Sequence, residues 1–453
     1  MEFDHEQMKR RRQEKQEERQ RKARAMRKLW IRLGIAAAVL LVVAAAILVI
    51  VLRVSPDKPE QPQEQPQQNL EQNQDPSQQT GESTQPSEPT EIPEGQTVIH
   101  LVATGDLNVN DTTVAAGGPA YIYTEAFLDV AHLLADADVS VVNFEGGLYG
   151  DPFGTEAASA PQSMVTALAE AGVDIVQLAN SYSIYSGVSG LRSTIAGVRQ
   201  AGMEPLGAYE TNAAFQESKG YYIKEVGGVK IAFVAFTKGM DGMALPAGSE
   251  KCVNVLYTDY SSTYQKLDTD GITSVMKAAA SQRPDLTVVL LHWGSEFNDQ
   301  ISDTQEDLVE LFQKLGADAI IGTHPHYVQQ MSLNEETGFF VAYSLGDFFG
   351  DAARAGSEYS VILDLEITKD NRSGKTAITG YSYTPIFTVT EKGKTAKVVR
   401  IHEAMLARDE LFLDRISDET YAAMEYALTR IEAACGYSLS CKCSKTGVQD
   451  ARL

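Results

Sequence analysis

Basic residues are scarce over most of this chain. Its 453 residues carry a formal charge of −22, and the first 32 hold twelve Lys/Arg against six Asp/Glu, so the remainder sums to −28. A body that acidic repels a polyanion, which argues against nucleic-acid binding by the main domain; the basic head suits an anionic inner leaflet. Aromatic residues are missing from positions 54–96, a Pro/Gln/Glu-rich stretch holding eight of the 16 prolines. With so little apolar surface to bury, that stretch cannot offset its ordering entropy and is expected to stay disordered. Proline and like charge extend it, to roughly 120 Å at full reach. Only four cysteines occur: Cys252, Cys435, Cys441 and Cys443. Outside the cell they allow three pairings. Cys441 and Cys443 form a C-x-C with no histidine close by, which argues against a metal clip there. Histidine is limited to seven positions, none of them between His132 and His292.

Charge is absent from residues 33–52 (LGIAAAVLLVVAAAILVIVL), which lie between Arg32 and Arg53. Twenty apolar residues in a helix span about 30 Å, the thickness of a bilayer core. The run is longer than the roughly 7–15 residues of a signal-peptide core, so an uncleaved anchor is expected in preference to a cleaved signal. The clusters KRRR at 9–12 and RKARAMRK at 21–28 place the N-terminus inside. The expected organisation is a basic cytoplasmic head (1–32), one transmembrane helix (33–53), a disordered linker (54–96), an α/β domain (97–405) and a C-terminal helix with a Cys-containing tail (406–453). The chain would then be a single-pass protein of the cell membrane with its main domain outside.

From Thr97 onward the pattern changes to short β-branched runs that end in polar or Gly-containing residues: TVIHLVATGD (97–106), DVSVVNFEG (138–146), GVDIVQLAN (172–180), KIAFVAFT (230–237), DLTVVLLHWG (285–294), DAIIGTHPH (318–326) and FFVAYSLGD (339–347). Between several of them, residues 124–137, 189–202 and 303–316 space their apolar residues by three and four, with Gly202 and Gly316 where helix caps belong. Alternation of strand and helix predicts a layered α/β core. The runs at 359–367 and 396–401 come without helices between them and predict antiparallel pairing at a sheet edge. Residues 418–434 predict a closing helix.

Ligands of α/β folds gather at the carboxyl ends of strands. There the sequence places Asp106, Asn143 with Glu145, Asn180, His292, His324 with His326, and Asp347. Carboxylates and imidazoles converging from several strands can hold one or two divalent cations, and two metals can clamp the attacking and leaving oxygens of an ester. An H-x-H alone is more often a capping or core pair; its combination with Gly-Asp and Asn-x-Glu at strand ends is what points to a metal site.

In order, ATGDLNVN, VVNFEGGL, IVQLANS, VVLLHWGSEF, GADAIIGTHPHYVQ and VAYSLGDF resemble the poly-γ-glutamate capsule-synthesis protein CapA family, a branch of the calcineurin-like metallophosphoesterases. The resemblance runs from 97 to about 402. It implies a metallophosphoesterase-like layered α/β sandwich. It also implies metal ligation by Asp106, a bridging Glu145, a lone His292 and the pair His324 and His326, with Trp293 and Glu296 lining the pocket; core packing is the alternative for Trp293. Asn180 and Asp347 are supporting candidates for the metal. The implied cofactor is a divalent cation (Mn, Fe, Zn or Mg), and the implied partners are the membrane and a capsule polymer or its synthase subunits.

One motif departs from the family. Its Asn-Asn-His reads Asn180-Ser181-Tyr182 here, so Ser181 stands where a metal-binding Asn is expected and Tyr182 where a catalytic His is expected. Asp347 replaces the family's Asn. Tyrosine titrates near pH 10 and is a weak acid at neutral pH. Three readings stay open: an accessory protein for an anionic polymer, an active metal-dependent hydrolase, and a non-catalytic scaffold for synthases. On the anchor reading, the full-length chain sediments with membranes and its main domain is open to protease from outside; release of full-length protein into the soluble fraction would end that reading.

Overall fold

The computed structural model describes residues 95–352, 354–391, 394–409 and 416–436. The expected head and transmembrane helix lie outside these residues, as do the linker up to residue 94, Cys441 and Cys443; Gln96, expected to end the linker, opens the first strand. No helix among the described residues is long and apolar enough to cross a membrane. Cys252 and Cys435 are buried and free.

The strands are numbered along the chain and form two sheets. The first contains β1 (Gln96–Asn108), β2 (Val139–Glu145), β3 (Ile175–Gln177), β4 (Glu204–Leu206), β11 (Asp347–Phe349), β12 (Tyr359–Asp370), β13 (Thr376–Val389) and β14 (Lys397–Arg400). Their order is β14-β13-β12-β1-β2-β3-β4, with β11 alongside the end of β1. The second contains β5 (Tyr221–Val226), β6 (Val229–Thr237), β7 (Leu286–His292), β8 (Ala319–Thr323), β9 (Met331–Leu333) and β10 (Phe340–Ala342), in the order β5-β6-β7-β8-β10-β9. Strands β1 to β4 run parallel, as do β6, β7, β8 and β10. The expected antiparallel edge is present: β12, β13 and β14 extend from β1 as a meander.

Period-two alternation divides the second sheet between two cores. Ile231, Phe233 and Ala235 on β6, with Leu286, Val288 and Leu290 on β7, join the large cluster that includes Leu101, Val141 and Ile175 of the first sheet. The intervening Val234, Phe236, Val289 and Leu291 pack against Ile272 and Met276 of helix Thr269–Ser281, and against Leu308 and Phe312 of helix Asp303–Lys314. Burying each of the larger side chains stabilises by about 1.5–3 kcal/mol. Both faces of this sheet are therefore covered, which is why its parallel strands read as continuous apolar runs.

Helix Asp303–Lys314 starts in a capping box between Ser302 and Gln305, and Gly202 and Gly316 take φ of 88° and 90° just beyond their helices. The helix expected over 124–137 is instead two short ones, Thr124–Phe127 and Ala131–Ala135. The interruption has a visible competitor: the Asp129 carbonyl accepts from Arg400 Nε (3.0 Å) and its carboxylate from the Arg400 N–H (2.8 Å). Strand β5 was not foreseen, although Gly227-Gly228, at φ 56° and 74°, is the hairpin turn that joins it to β6. Helix Ile401–Asp409 crosses position 405, and helix Asp418–Cys435 sends Met424, Ala427, Ile431 and Cys435 into the same core as the first sheet.

Close approach of β1 and β11 sets the position of the candidate site. A Cβ on Gly105 would lie 1.8 Å from the Gly346 carbonyl oxygen, the acceptor of the Asp106 N–H at 3.0 Å. Gly105→Ala is expected to cost roughly 2–4 kcal/mol in denaturant unfolding. Gly380→Ala, where nothing lies closer than 3.9 Å, is expected to cost under about 1 kcal/mol.

Candidate metal centre

Asp106 stands in register with Asn143 on β2 and with Asp347 on β11. From the other sheet, β7 ends at His292, in register with Thr237 and Thr323. The chain then leaves β8 through His324 and His326, whose backbones take φ of 92° and 58°. Such values are sparsely populated for residues other than glycine and cost energy that the surroundings must offset.

Asn143 ties the two sheets together. Its Nδ2 donates to Asp106 Oδ1 (2.6 Å) and lies 3.4 Å from His292 Nδ1. Its Oδ1 accepts from Asn180 Nδ2 (3.1 Å), which also donates to the Phe144 carbonyl (2.8 Å). The Asn180 Oδ1 accepts from the Tyr182 N–H (3.0 Å). Asn180 thus holds Asn143 and the 180–183 turn in place. Asp106 Oδ2 accepts from the His324 N–H (3.0 Å). His292 Nδ1 lies 3.2 Å from Thr323 Oγ1, and its Nε2 is 3.1 Å from both Glu145 Oε1 and Ser181 Oγ. His326 Nδ1 lies 2.8 Å from Asp347 Oδ1 and 3.7 Å from Asp106 Oδ2.

Three groups of donor atoms each fall within 4.8 Å of one another: Glu145, His292 and His324; Glu296, His324 and His326; and Asp106, His326 and Asp347. The groups overlap through shared histidines. His324 is 3% exposed, yet neither of its ring nitrogens has a hydrogen-bond partner. An unpartnered buried imidazole is costly; a bound cation would satisfy it, and the N/O donor set suits a borderline divalent ion. The residues present therefore fit a metal. Trp293 does not line the site: it is 1% exposed, donates to the Tyr343 carbonyl (2.9 Å) and packs among the helix-facing core. A cleft of about 840 Å³ lined by Asp299, Tyr327, Tyr426 and Arg430 contains none of the ligand candidates.

Without a cation the electrostatics are strained. Burial raises Asp106 to about 6, opposed by His326. Burial, followed by the Asp106 charge, raises Glu145 well above the carboxylate range. Burial raises Asp347 as well. His292 and His324 are driven well below the usual imidazole value, first by burial and then by neighbouring cations. Burial alone would also lower His326, but Asp347 beside it, helped by Glu145 and Asp106, raises it well above 6.5. The Tyr182 phenol is pushed up, first by burial and then by Glu145, Glu296 and Asp241, so it stays protonated at neutral pH.

All the strand-end candidates fall in this neighbourhood. Sequence reasoning missed Thr323 behind His292, and Lys238, whose N–H donates to the His292 carbonyl at 2.8 Å. Thr323 lies within the quoted GADAIIGTHPHYVQ stretch and Lys238 just after KIAFVAFT, but only strand register places them beside His292.

Residues 100–352 match the model of the bacterial capsule synthesis protein family PGA_cap. The chain belongs to this family. Over 216 residues it is 29% identical to the capsule biosynthesis protein CapA of Bacillus anthracis, covering 47% of this chain and 48% of that protein. Over 257 residues it is 25% identical to the PGA biosynthesis protein CapA of Bacillus subtilis (strain 168), covering 56% and 62%. The chain thus spans about half to three fifths of these relatives' lengths. Among solved structures, a novel phosphatase from Mycoplasma pneumoniae aligns at 14% identity and a TM-score of 0.40, covering 64% of this chain and 94% of that one.

Metal ligands bind deprotonated. Burial favours the protonated forms of Asp106, Glu145 and Asp347, and the carboxylates around it favour that of His326, so a cation competes with protons and metal affinity is expected to rise with pH through the region near 6 where Asp106 titrates. Calorimetric titration in buffers of different ionisation enthalpy should show about one or more protons released per metal near neutrality; metal uptake with no proton release and no pH dependence would contradict the assignment.

Proposed function

We propose that this protein is an accessory factor of capsule formation, displayed on the outer face of the cell membrane. It acts in the synthesis, export or release of an anionic polymer such as poly-γ-glutamate, through a centre of metallophosphoesterase type. The observation that carries this reading is the buried convergence of two triads, Glu145–His292–His324 and Asp106–His326–Asp347, in a chain of the capsule-synthesis family. The names of the Bacillus relatives support the polymer. The uncharged run at 33–52 behind a basic head supports the location.

A divalent cation at this centre (Mn, Fe, Zn or Mg) would supply Lewis acidity and a nucleophilic water. Asp106, Glu145, His292, His324, His326 and Asp347 would hold it. Asn143, Asn180 and Thr323 keep those side chains aimed, and Ser181 holds His292 Nε2 at 3.1 Å. Tyr182 contributes a neutral phenol. It can donate a hydrogen bond to a developing charge but is a poor general acid at neutral pH, and general acid–base help is worth about 10²–10⁴-fold. The reading is therefore of a slow hydrolase. The acidic body repels an anionic polymer, and bound cations or synthase subunits would bridge that repulsion. Tyr182 in place of a catalytic histidine also supports a second reading, in which the domain binds without turnover as a scaffold for synthases.

The purified protein is expected to carry near-stoichiometric metal and to hydrolyse a phosphodiester slowly. His292→Ala should abolish turnover, and Tyr182→His should raise it by about tenfold or more. A wild-type protein with neither metal nor turnover would leave only the scaffold reading. Capsule output that survives deletion of residues 1–32 would exclude recruitment through the head.

A further inference from the structure

Among the described residues, one cation beside the imidazole cluster has no carboxylate within salt-bridge reach. Lys238 follows the last residue of β6, and Thr237 before it is in register with His292. The Lys238 N–H donates to the His292 carbonyl (2.8 Å). Its Nζ donates to the Gly294 carbonyl (2.7 Å) and lies 5.3 Å from the centroid of the Tyr264 ring. The side chain is half-buried. Two other partly buried lysines have carboxylate partners: Lys224 pairs with Asp174 at 3.1 Å and Lys369 with Asp285 at 3.0 Å. Among the described residues Lys238 has none within salt-bridge reach, and Glu296 acts on it only at longer range.

An ammonium carries three donors. The Gly294 carbonyl takes one, and the Tyr264 ring presents a π-face to the charge. Withdrawing a charge from water without a partner is unfavourable, so an anion brought to this half-buried ammonium would be stabilised. The cation also sits beside the segment that carries His292, a member of the Glu145 triad: the Lys238 N–H donates to the His292 carbonyl and its Nζ to the carbonyl of Gly294, two residues further on. Apart from His326, whose protonated form its carboxylate neighbours favour, the other charged groups of the centre are carboxylates that repel an anionic substrate.

We propose that Lys238 is the substrate-anchoring residue of this centre, its ammonium receiving an oxyanion group, phosphate or carboxylate, of the molecule bound against His292 and His324. The inference rests on the proposed function for its premise that substrate binds there, and it adds the chemical class of group recognised and the residue that recognises it.

Full-length protein in detergent micelles with Mn²⁺ present would be titrated calorimetrically with inorganic phosphate and, separately, with a γ-linked pentaglutamate. The wild type should bind at least one probe. Lys238→Met should weaken that binding by about tenfold or more, as expected for loss of a charge-assisted hydrogen bond. Lys238→Gln, which keeps a donor for Gly294, should weaken it similarly, while Lys238→Arg should stay within about threefold of wild type. Lys314→Met, at an exposed pair with Glu310, should bind as wild type. Binding of phosphate alone identifies a phosphoester group, and binding of the peptide alone a carboxylate. Wild-type protein that binds neither probe, or Met and Gln variants that bind as tightly as wild type, would overturn the proposal. Lys238-dependent binding with no phosphodiester turnover would end the hydrolase reading and leave this one standing; turnover indifferent to Lys238 would do the reverse.

Discussion

Ionisable side chains leave water only where something else stabilises their charge or removes it. Here Asp106, Glu145, His292, His324, His326 and Asp347 are all buried between the carboxyl ends of two sheets. Their partners are mostly one another: His326 faces Asp347, His292 faces Glu145, and Asn143 bonds to Asp106. His324 is left with two unpartnered ring nitrogens. Such a cluster is poorly explained as a stabilising device, since apolar residues of similar volume would serve a core as well or better. It is well explained as a cation site, where one divalent charge would hold the carboxylates ionised and give the orphan imidazole a partner.

The fold bears the cost of assembling that cluster. Parallel strands in both sheets bring their C-terminal ends to the same edge, and the missing side chain at Gly105 lets β1 and β11 approach closely enough to set Asp106 beside Asp347. The left-handed backbone at His324 and His326 turns two imidazoles inward within three residues. It is held there by the Phe297 N–H on the Pro325 carbonyl (2.8 Å) and by the Phe297 ring stacked on His326 at 5.0 Å. Strain of this kind persists where neighbours over-determine it, and it tends to collect at functional sites.

The substituted motif changes the chemistry more than the architecture. Ser181 keeps a contact to His292 Nε2, and Asn180 keeps the turn closed on Asn143. What differs is the group able to move a proton: a phenol held protonated first by its own burial and then by nearby carboxylates replaces an imidazole. The buried donor set fits a cation, while the acid expected to drive leaving-group departure is absent from position 182. Lys238 adds a fixed positive charge on the β6 side, where recognition of an anion does not depend on that acid.

Much of this was legible in the chain itself. Apolar runs closed by Gly-Asp, Asn-x-Glu, His-Trp-Gly and His-Pro-His identified the parallel strands and their polar ends, because a strand covered on both faces needs a continuous apolar run and can place reactive groups only where it stops. Two strands of the antiparallel edge, β12 and β14, were visible because no helix pattern separates their runs. Other features had no local signal. The break at 128–130 is made by Arg400, some 270 residues away, and half-exposed β13 shows little apolar pattern. Trp293, adjacent to a ligand candidate, turns into the core because successive side chains of a strand point to opposite faces. The sequence by itself determined which candidate ligands stand at strand ends. Only the tertiary structure decided that Asp347 meets His326, that His324 has no partner and that Lys238 stands beside His292, because strand register and loop crossings between two sheets depend on contacts remote along the chain.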